Sequence, residues 1–114
     1  METVEECLTV LGQDPALKIV EGQKDKSALE SLSASNILCI SQLPFYAVIE
    51  KIEPEEEVII LTDFDFEGRK FFGKLRHECQ RRGIKIKNQY REFLQKNTKI
   101  VHIESLRHMQ SSSE

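Results

Sequence analysis

Cysteine is scarce in this chain and follows no pairing pattern. Cys7, Cys39 and Cys79 are odd in number, widely scattered, and none belongs to a CxxC pair. That argues against a disulfide framework and against a cysteine-based zinc site. Cys39 and Cys79 sit in apolar surroundings and read as small buried hydrophobes. Long apolar runs are missing too: none approaches the ~20 residues that a bilayer-spanning helix needs. The opening METVEECLTV is acidic and lacks the basic start and apolar centre of a secretory signal. The expectation is a cytoplasmic protein without a membrane partner. No internal repeat or low-complexity block is present.

What is there suits one globular domain of 114 residues, 39% hydrophobic and 31% charged. The net charge of −3 hides a division. Residues 1–67 hold 15 acids and 4 bases, whereas residues 68–114 hold 4 acids and 12 bases. Such asymmetry fits either a polyanionic partner or two solvated faces that attract each other.

Along the chain, Val4, Cys7, Leu8 and Leu11 recur at helical spacing. ALKIV reads as a first strand ending at Glu21 and Gly22, where the glycine allows a tight turn. KDKSALESLSAS reads as a helix. NILCIS, nearly all apolar, reads as a strand buried on both faces. Phe45, Val48, Ile49 and Ile52 mark a helix behind Pro44. EVIILTD is a third buried strand. Residues 67–82 form a long helix with Phe71, Phe72, Leu75 and Cys79 inside, stopped by Gly83. IKIKN alternates like an edge strand, QYREFLQKN is a short helix, and KIVHI reads as a last strand. The tail 109–114 is expected to fray. Strands alternating with helices imply an α/β fold with a mainly parallel sheet of about four strands, covered by helices on both faces.

In such sheets the site lies beyond the carboxyl ends of the strands. The run LTDFDFEGR follows the apolar EVII there. On extended chain Asp63 and Asp65 project together while Phe64 and Phe66 pack on the other side. Glu67 continues the set where the helix begins. Clustered carboxylates repel unless a cation joins them, and hard oxygens with room for water suit Mg²⁺. Glu21 ends the first strand in the same way. If strands one and three are neighbours, it faces the aspartates and is available for proton transfer. The plainer alternative makes Asp63 a helix cap and Glu67 a partner of the helix dipole. Glu55, Glu56 and Glu57 read as a solvated linker.

IVEGQKD followed by ILTDFDFEG resembles the Toprim domain of topoisomerases, primases and related nucleases. Glu21-Gly22 matches the element after the first strand, and Asp63-x-Asp65 the element after the third. The run on to Glu67-Gly68 looks most like type IA topoisomerases. The VEGxxD form, with Asp25, looks like small stand-alone Toprim proteins and the N-terminal part of ribonuclease M5. The resemblance covers residues 16–88, with residues 89–108 as an unmatched extension. It implies a Rossmann-like Toprim fold. It also implies Asp63 and Asp65 as Mg²⁺ ligands, Glu67 as an additional ligand, and Glu21 as general acid/base or metal holder. Mn²⁺ is the natural substitute metal. Where many relatives have a glycine-containing loop after the second strand, this chain reads ISQLPFY.

Length limits the chemistry. Topoisomerases join such a site to a tyrosine on another domain; of the two tyrosines here, Tyr46 and Tyr90, Tyr46 is read as core or rim. A primase needs further modules. Metal-dependent, nuclease-like hydrolysis of RNA or DNA phosphodiesters remains. Lys70, Lys74, His77 and Arg81 form a basic stripe on the long helix, with Arg69 beside it. Together with Lys24 they are candidates for phosphate contact, although a charged outer face is ordinary for any surface helix. The alternative is a non-catalytic accessory module that binds metal and nucleic acid, with a protein partner positioning the substrate. A receiver-like signalling domain would need its acid pair after the first strand instead. A homodimer is open, because KIVHI could close the sheet or pair with a second copy. His102 and His108 read as structural or disordered.

Overall fold

The computed structural model describes residues 1–109; the expected frayed tail, apart from Met109, lies outside the described residues. Helix α1 (Val4–Gln13) is followed by strand β1 (Leu17–Val20), α2 (Gln23–Glu30), β2 (Ile37–Cys39), α3 (Phe45–Ile52), β3 (Glu57–Ile60), α4 (Phe66–Arg82), β4 (Lys85–Ile86) and α5 (Gln89–Asn97). A 3-10 helix, Ile103–Met109, ends the described chain. The strands form one parallel sheet in the order β2-β1-β3-β4.

Apart from Lys18 and Glu57, β1 and β3 are apolar because the sheet is covered twice. Leu17, Ile19, Val58 and Ile60 face α3 and α4, where Val48, Ile49, Ile52, Leu75 and Cys79 pack on them. Val20, Ile59 and Leu61 face the other way, against α1, α2, α5 and the 3-10 helix through Cys7, Leu8, Leu11, Leu29, Leu94, Ile103 and Leu106. Burial on both faces holds for β1 and β3. The expectation fails for β2, whose three residues are half-buried because the strand lies at the edge. Cys39 is accordingly half-buried, whereas Cys7 and Cys79 are buried.

Helix ends follow local chemistry. Thr3 caps α1 by accepting from the Glu6 N–H at 3.0 Å. Gly83 closes α4 in the left-handed conformation at φ 71°. No helix of the described residues is long and apolar enough to cross a membrane.

KIVHI is not a strand. After β4 the chain crosses to the α1 face, where α5 packs. Residues 99–102 then run past the carboxyl end of β3 instead of extending the sheet, and the Phe64 N–H donates to the Val101 carbonyl at 2.7 Å. The segment's backbone partner is the loop after β3, not a strand.

Candidate metal centre

Parallel pairing of β1 with β3 brings the two acidic strand ends together. Glu21 lies one residue beyond β1, and its Oε2 accepts from the Asp63 N–H at 2.8 Å. Asp63 lies three residues beyond β3, in a loop. Its Oδ1 accepts from the Ile103 N–H at 2.8 Å, and its Oδ2 lies 3.3 Å from His102 Nδ1. Asp65, not Asp63, caps α4: its Oδ1 accepts from the Gly68 N–H at 2.8 Å. Asp65 Oδ2 lies 3.9 Å from the same His102 nitrogen. Each of the three carboxylates is therefore fixed through one oxygen by a backbone N–H. The second oxygens of both aspartates turn toward His102.

The loop is shaped by close packing. A Cβ on Gly68 would stand 2.0 Å from the Asp63 carbonyl oxygen, so only glycine fits there. The buried Thr62 hydroxyl donates to the Gly68 carbonyl at 2.7 Å. Gly22, by contrast, is extended at φ −135° and has no close neighbour that excludes a side chain. The chain bends there as expected, but without a conformation that requires glycine. Asp25 reaches back from the first turn of α2 to accept from the Gly22 N–H at 3.0 Å.

Beneath the acids lies a cation the sequence reading passed over. Arg91, on α5, is 3% exposed and donates to the carbonyls of Thr62 at 2.7 Å and Asp63 at 3.2 Å. Its guanidinium stacks on the rings of Phe72 and Phe64, 4.4 Å and 5.0 Å from their centroids. Phe64 thus packs as expected, whereas Phe66 is 68% exposed because α4 has already begun.

The electrostatics are those of an acid excess. Burial, followed by Asp63, pushes the Asp25 carboxyl up to about 6. Burial also raises Glu21, and the charges of Asp63 and Asp65 add to the rise. Burial lowers Arg91 to about 10. His102 is raised, chiefly by its hydrogen bond with Asp63.

Asp63, Asp65 and His102 offer ligand atoms that all lie within 4.8 Å of one another. Glu67, expected as a further ligand, is exposed on the first turn of α4 and stands outside that group. The strand ends at Ile60, so alternation does not carry as far as Glu67, and the helical turn of about 100° per residue redirects it. His102, read as structural, belongs to the site; the strand-like KIVHI pattern hid it.

The expected basic contacts divide by position. Lys24 is exposed and lines a cleft of about 470 Å³ with Gln23, Ser27, Glu104, Arg107 and His108. Arg69, near the aspartates, donates from Nε to the Asp65 carbonyl at 3.4 Å. Lys70 is exposed in the same turn. Lys74 lies over the Phe45 ring at 4.1 Å. Arg81 pairs with Glu78 at 3.2 Å and lies about 18 Å along the helix from Arg69, so it is remote from the centre. Tyr46, in the first turn of α3, is 69% exposed and belongs to the rim. The ISQLPFY loop has no glycine, yet Gln42 takes the left-handed conformation at φ 67° that glycine usually fills.

No protein-family model matches the chain. A solved structure of a protein from Aquifex aeolicus superposes with a TM-score of 0.85 at 30% identity, over 92% of this chain and 99% of that one. The UPF0292 protein PH1700 of Pyrococcus horikoshii is 34% identical over 67% of this chain and 58% of its own length. The UPF0292 protein MJ1624 of Methanocaldococcus jannaschii is 34% identical over 111 residues, 93% of this chain and 85% of its own length. A match of that extent spans the sheet, the acidic loop and most of the C-terminal segment that carries His102, and with it this chain belongs to the UPF0292 family.

Proposed function

We propose that this is a Toprim-type, divalent-metal-dependent hydrolase of nucleic-acid phosphodiesters, working in the cytoplasm. One observation carries the reading. Glu21, Asp63 and Asp65 converge from two adjacent parallel strands, each anchored through one oxygen by a backbone N–H. Such anchoring costs no reorganisation when a cation arrives. The donor set fits Mg²⁺, with Asp63 and Asp65 holding it. When bound, the ion supplies positive charge against a non-bridging phosphate oxygen. Glu21, with its carboxyl raised by burial, suits the transfer of a proton to or from the reacting water or leaving oxygen. Arg91 fixes the carbonyls of the loop from below. Arg69, Lys70 and Lys24, all exposed, would meet a phosphate backbone, RNA or DNA, whereas Arg81 is remote.

The test is cleavage of labelled RNA and of single- and double-stranded DNA with Mg²⁺, Mn²⁺ or EDTA. Glu21→Gln and the Asp63→Asn/Asp65→Asn double variant are run alongside. Metal-dependent cleavage that both variants lose is the expected result. Cleavage that survives in both variants would mark a contaminant. Absence of cleavage with metal and nucleic acid still bound favours the second reading, an accessory module whose partner positions the substrate. The exposed rings of Tyr46 and Phe66 are apolar surface that such a partner could use.

A further inference from the structure

We infer that His102 is a third protein ligand of this centre, and that it makes the site select a Mn²⁺-type transition metal over Mg²⁺. The inference rests on the reading of Asp63 and Asp65 as metal ligands and goes beyond it. Nothing in the acid motifs themselves calls for an imidazole.

The geometry suits one coordination sphere. An octahedral cation with bonds of about 2.1 Å holds adjacent ligand atoms about 3.0 Å apart and opposite ones about 4.2 Å apart. His102 Nδ1 lies 3.3 Å from Asp63 Oδ2 and 3.9 Å from Asp65 Oδ2, within that span. A single Nδ1–H hydrogen bond accounts for the Asp63 contact alone. The approach of a second carboxylate oxygen to the same nitrogen brings three ligand atoms within reach of one ion. The other oxygens of both aspartates are already held by the N–H groups of Ile103 and Gly68, which aims the second oxygens at the imidazole.

His102 is also held in place from both sides. The Val101 carbonyl before it accepts from the Phe64 N–H, and the Ile103 N–H after it donates to Asp63. The Ile103 side chain is fully buried, while the imidazole remains half-exposed and open to an ion from solvent. An imidazole in place of an oxygen donor favours Mn²⁺, Co²⁺ or Zn²⁺, whereas Mg²⁺ prefers oxygen and retains its waters.

The experiment is a binding titration of the full chain with Mn²⁺ and with Mg²⁺, joined to pulsed EPR of the Mn²⁺-loaded protein. The variants are His102→Ala, Asp63→Asn and, as a control, His108→Ala, with circular dichroism to confirm folding. Mn²⁺ is expected to bind about thirtyfold more tightly than Mg²⁺ and to show ¹⁴N coupling from one imidazole. In His102→Ala the coupling disappears and Mn²⁺ affinity falls about tenfold, while Mg²⁺ affinity falls less than about threefold. His108→Ala keeps the wild-type behaviour, and Asp63→Asn loses both metals. Mn²⁺ binding that depends on Asp63 but lacks ¹⁴N coupling and is unchanged in His102→Ala overturns the role of His102 and leaves the metal centre standing. If neither metal saturates the wild-type chain, the centre and the inference fall together.

Discussion

Two charged clusters sit at opposite ends of this sheet, and they obey different rules. At the amino end, Asp14 accepts from the Tyr90 hydroxyl at 2.6 Å, the Ala16 N–H at 2.9 Å and Lys87 Nζ at 3.1 Å. Lys87 also pairs with Glu57 at 3.3 Å. The buried Lys18 donates to three carbonyls, those of Asp14, Ala16 and Ser35. Every charge has an opposite charge or a full set of acceptors. Burial opposes ionisation of Asp14, yet the bonds from Tyr90, Ala16 and Lys87 win and its carboxyl stays below the usual range. At the carboxyl end Glu21 and Asp25 are raised instead. The same residue types thus move in opposite directions within one small domain. The amino-end cluster is balanced within the protein, whereas at the carboxyl end Arg91 and His102 offset only part of the charge of Glu21, Asp25, Asp63 and Asp65. That imbalance, more than the number of acids in either cluster, distinguishes the structural network from the candidate site.

The comparison can be broken most severely through the backbone. Gly68→Ala forces a Cβ against the Asp63 carbonyl, and urea unfolding is expected to show a loss of about 4 kcal/mol or a chain that does not fold. Next comes Lys18→Met, which removes the donor from one buried and two part-buried carbonyls and costs about 3 kcal/mol. In the same titration Asp63→Asn/Asp65→Asn, which keeps the acceptor oxygens and removes the repulsion, is expected to cost nothing. If it costs as much as Lys18→Met, the two clusters are alike after all.

Metal sharpens the contrast. Mn²⁺ at about a hundred times its dissociation constant should stabilise the wild type by about 2.7 kcal/mol and leave the double variant unchanged, read as a shift in thermal midpoint. Acid gives a smaller effect of definite sign. The Asp25 carboxyl titrates near 6 in the folded chain against 3.8 as a free side chain, so the folded state binds more protons between those values. Its ionisation therefore destabilises the fold: the penalty is absent below about pH 4 and complete above about pH 6. Metal-free wild type should lose on the order of 2 kcal/mol across that window, and Asp25→Asn should flatten the profile. A flat wild-type profile would place Asp25 in an environment no different from the surface.

Much of this was readable in the residues themselves. The sheet, its parallel direction and the meeting of Glu21 with Asp63 follow from apolar runs that end in acids. Strand neighbours exchange hydrogen bonds, and acids at their carboxyl ends have nowhere else to go. Strand-like patterns misled at two points. Alternation carried Asp63 and Asp65 on to Glu67, although the strand ends at Ile60 and a helix begins at Phe66. Strand-like composition also made a strand of KIVHI, when the backbone there bonds to a loop and delivers His102. Arg91 left no signal in its own neighbourhood. A buried arginine stacked between two phenylalanines looks, in sequence, like any charge on a short amphipathic helix. Both omissions come from the same cause: local pattern records which face is buried, not which distant segment covers it.

That distant covering has a kinetic consequence. The bonds that close the centre join residues 42, 40 and 28 positions apart in the chain. Loops of that length close late, after the local helices and the first strand pairs have formed. The ion cannot assemble ligands that the fold has not yet assembled, so it should not act as a nucleus. Its effect belongs on the escape from the native state: metal should slow unfolding and leave the rate of refolding as it is without metal.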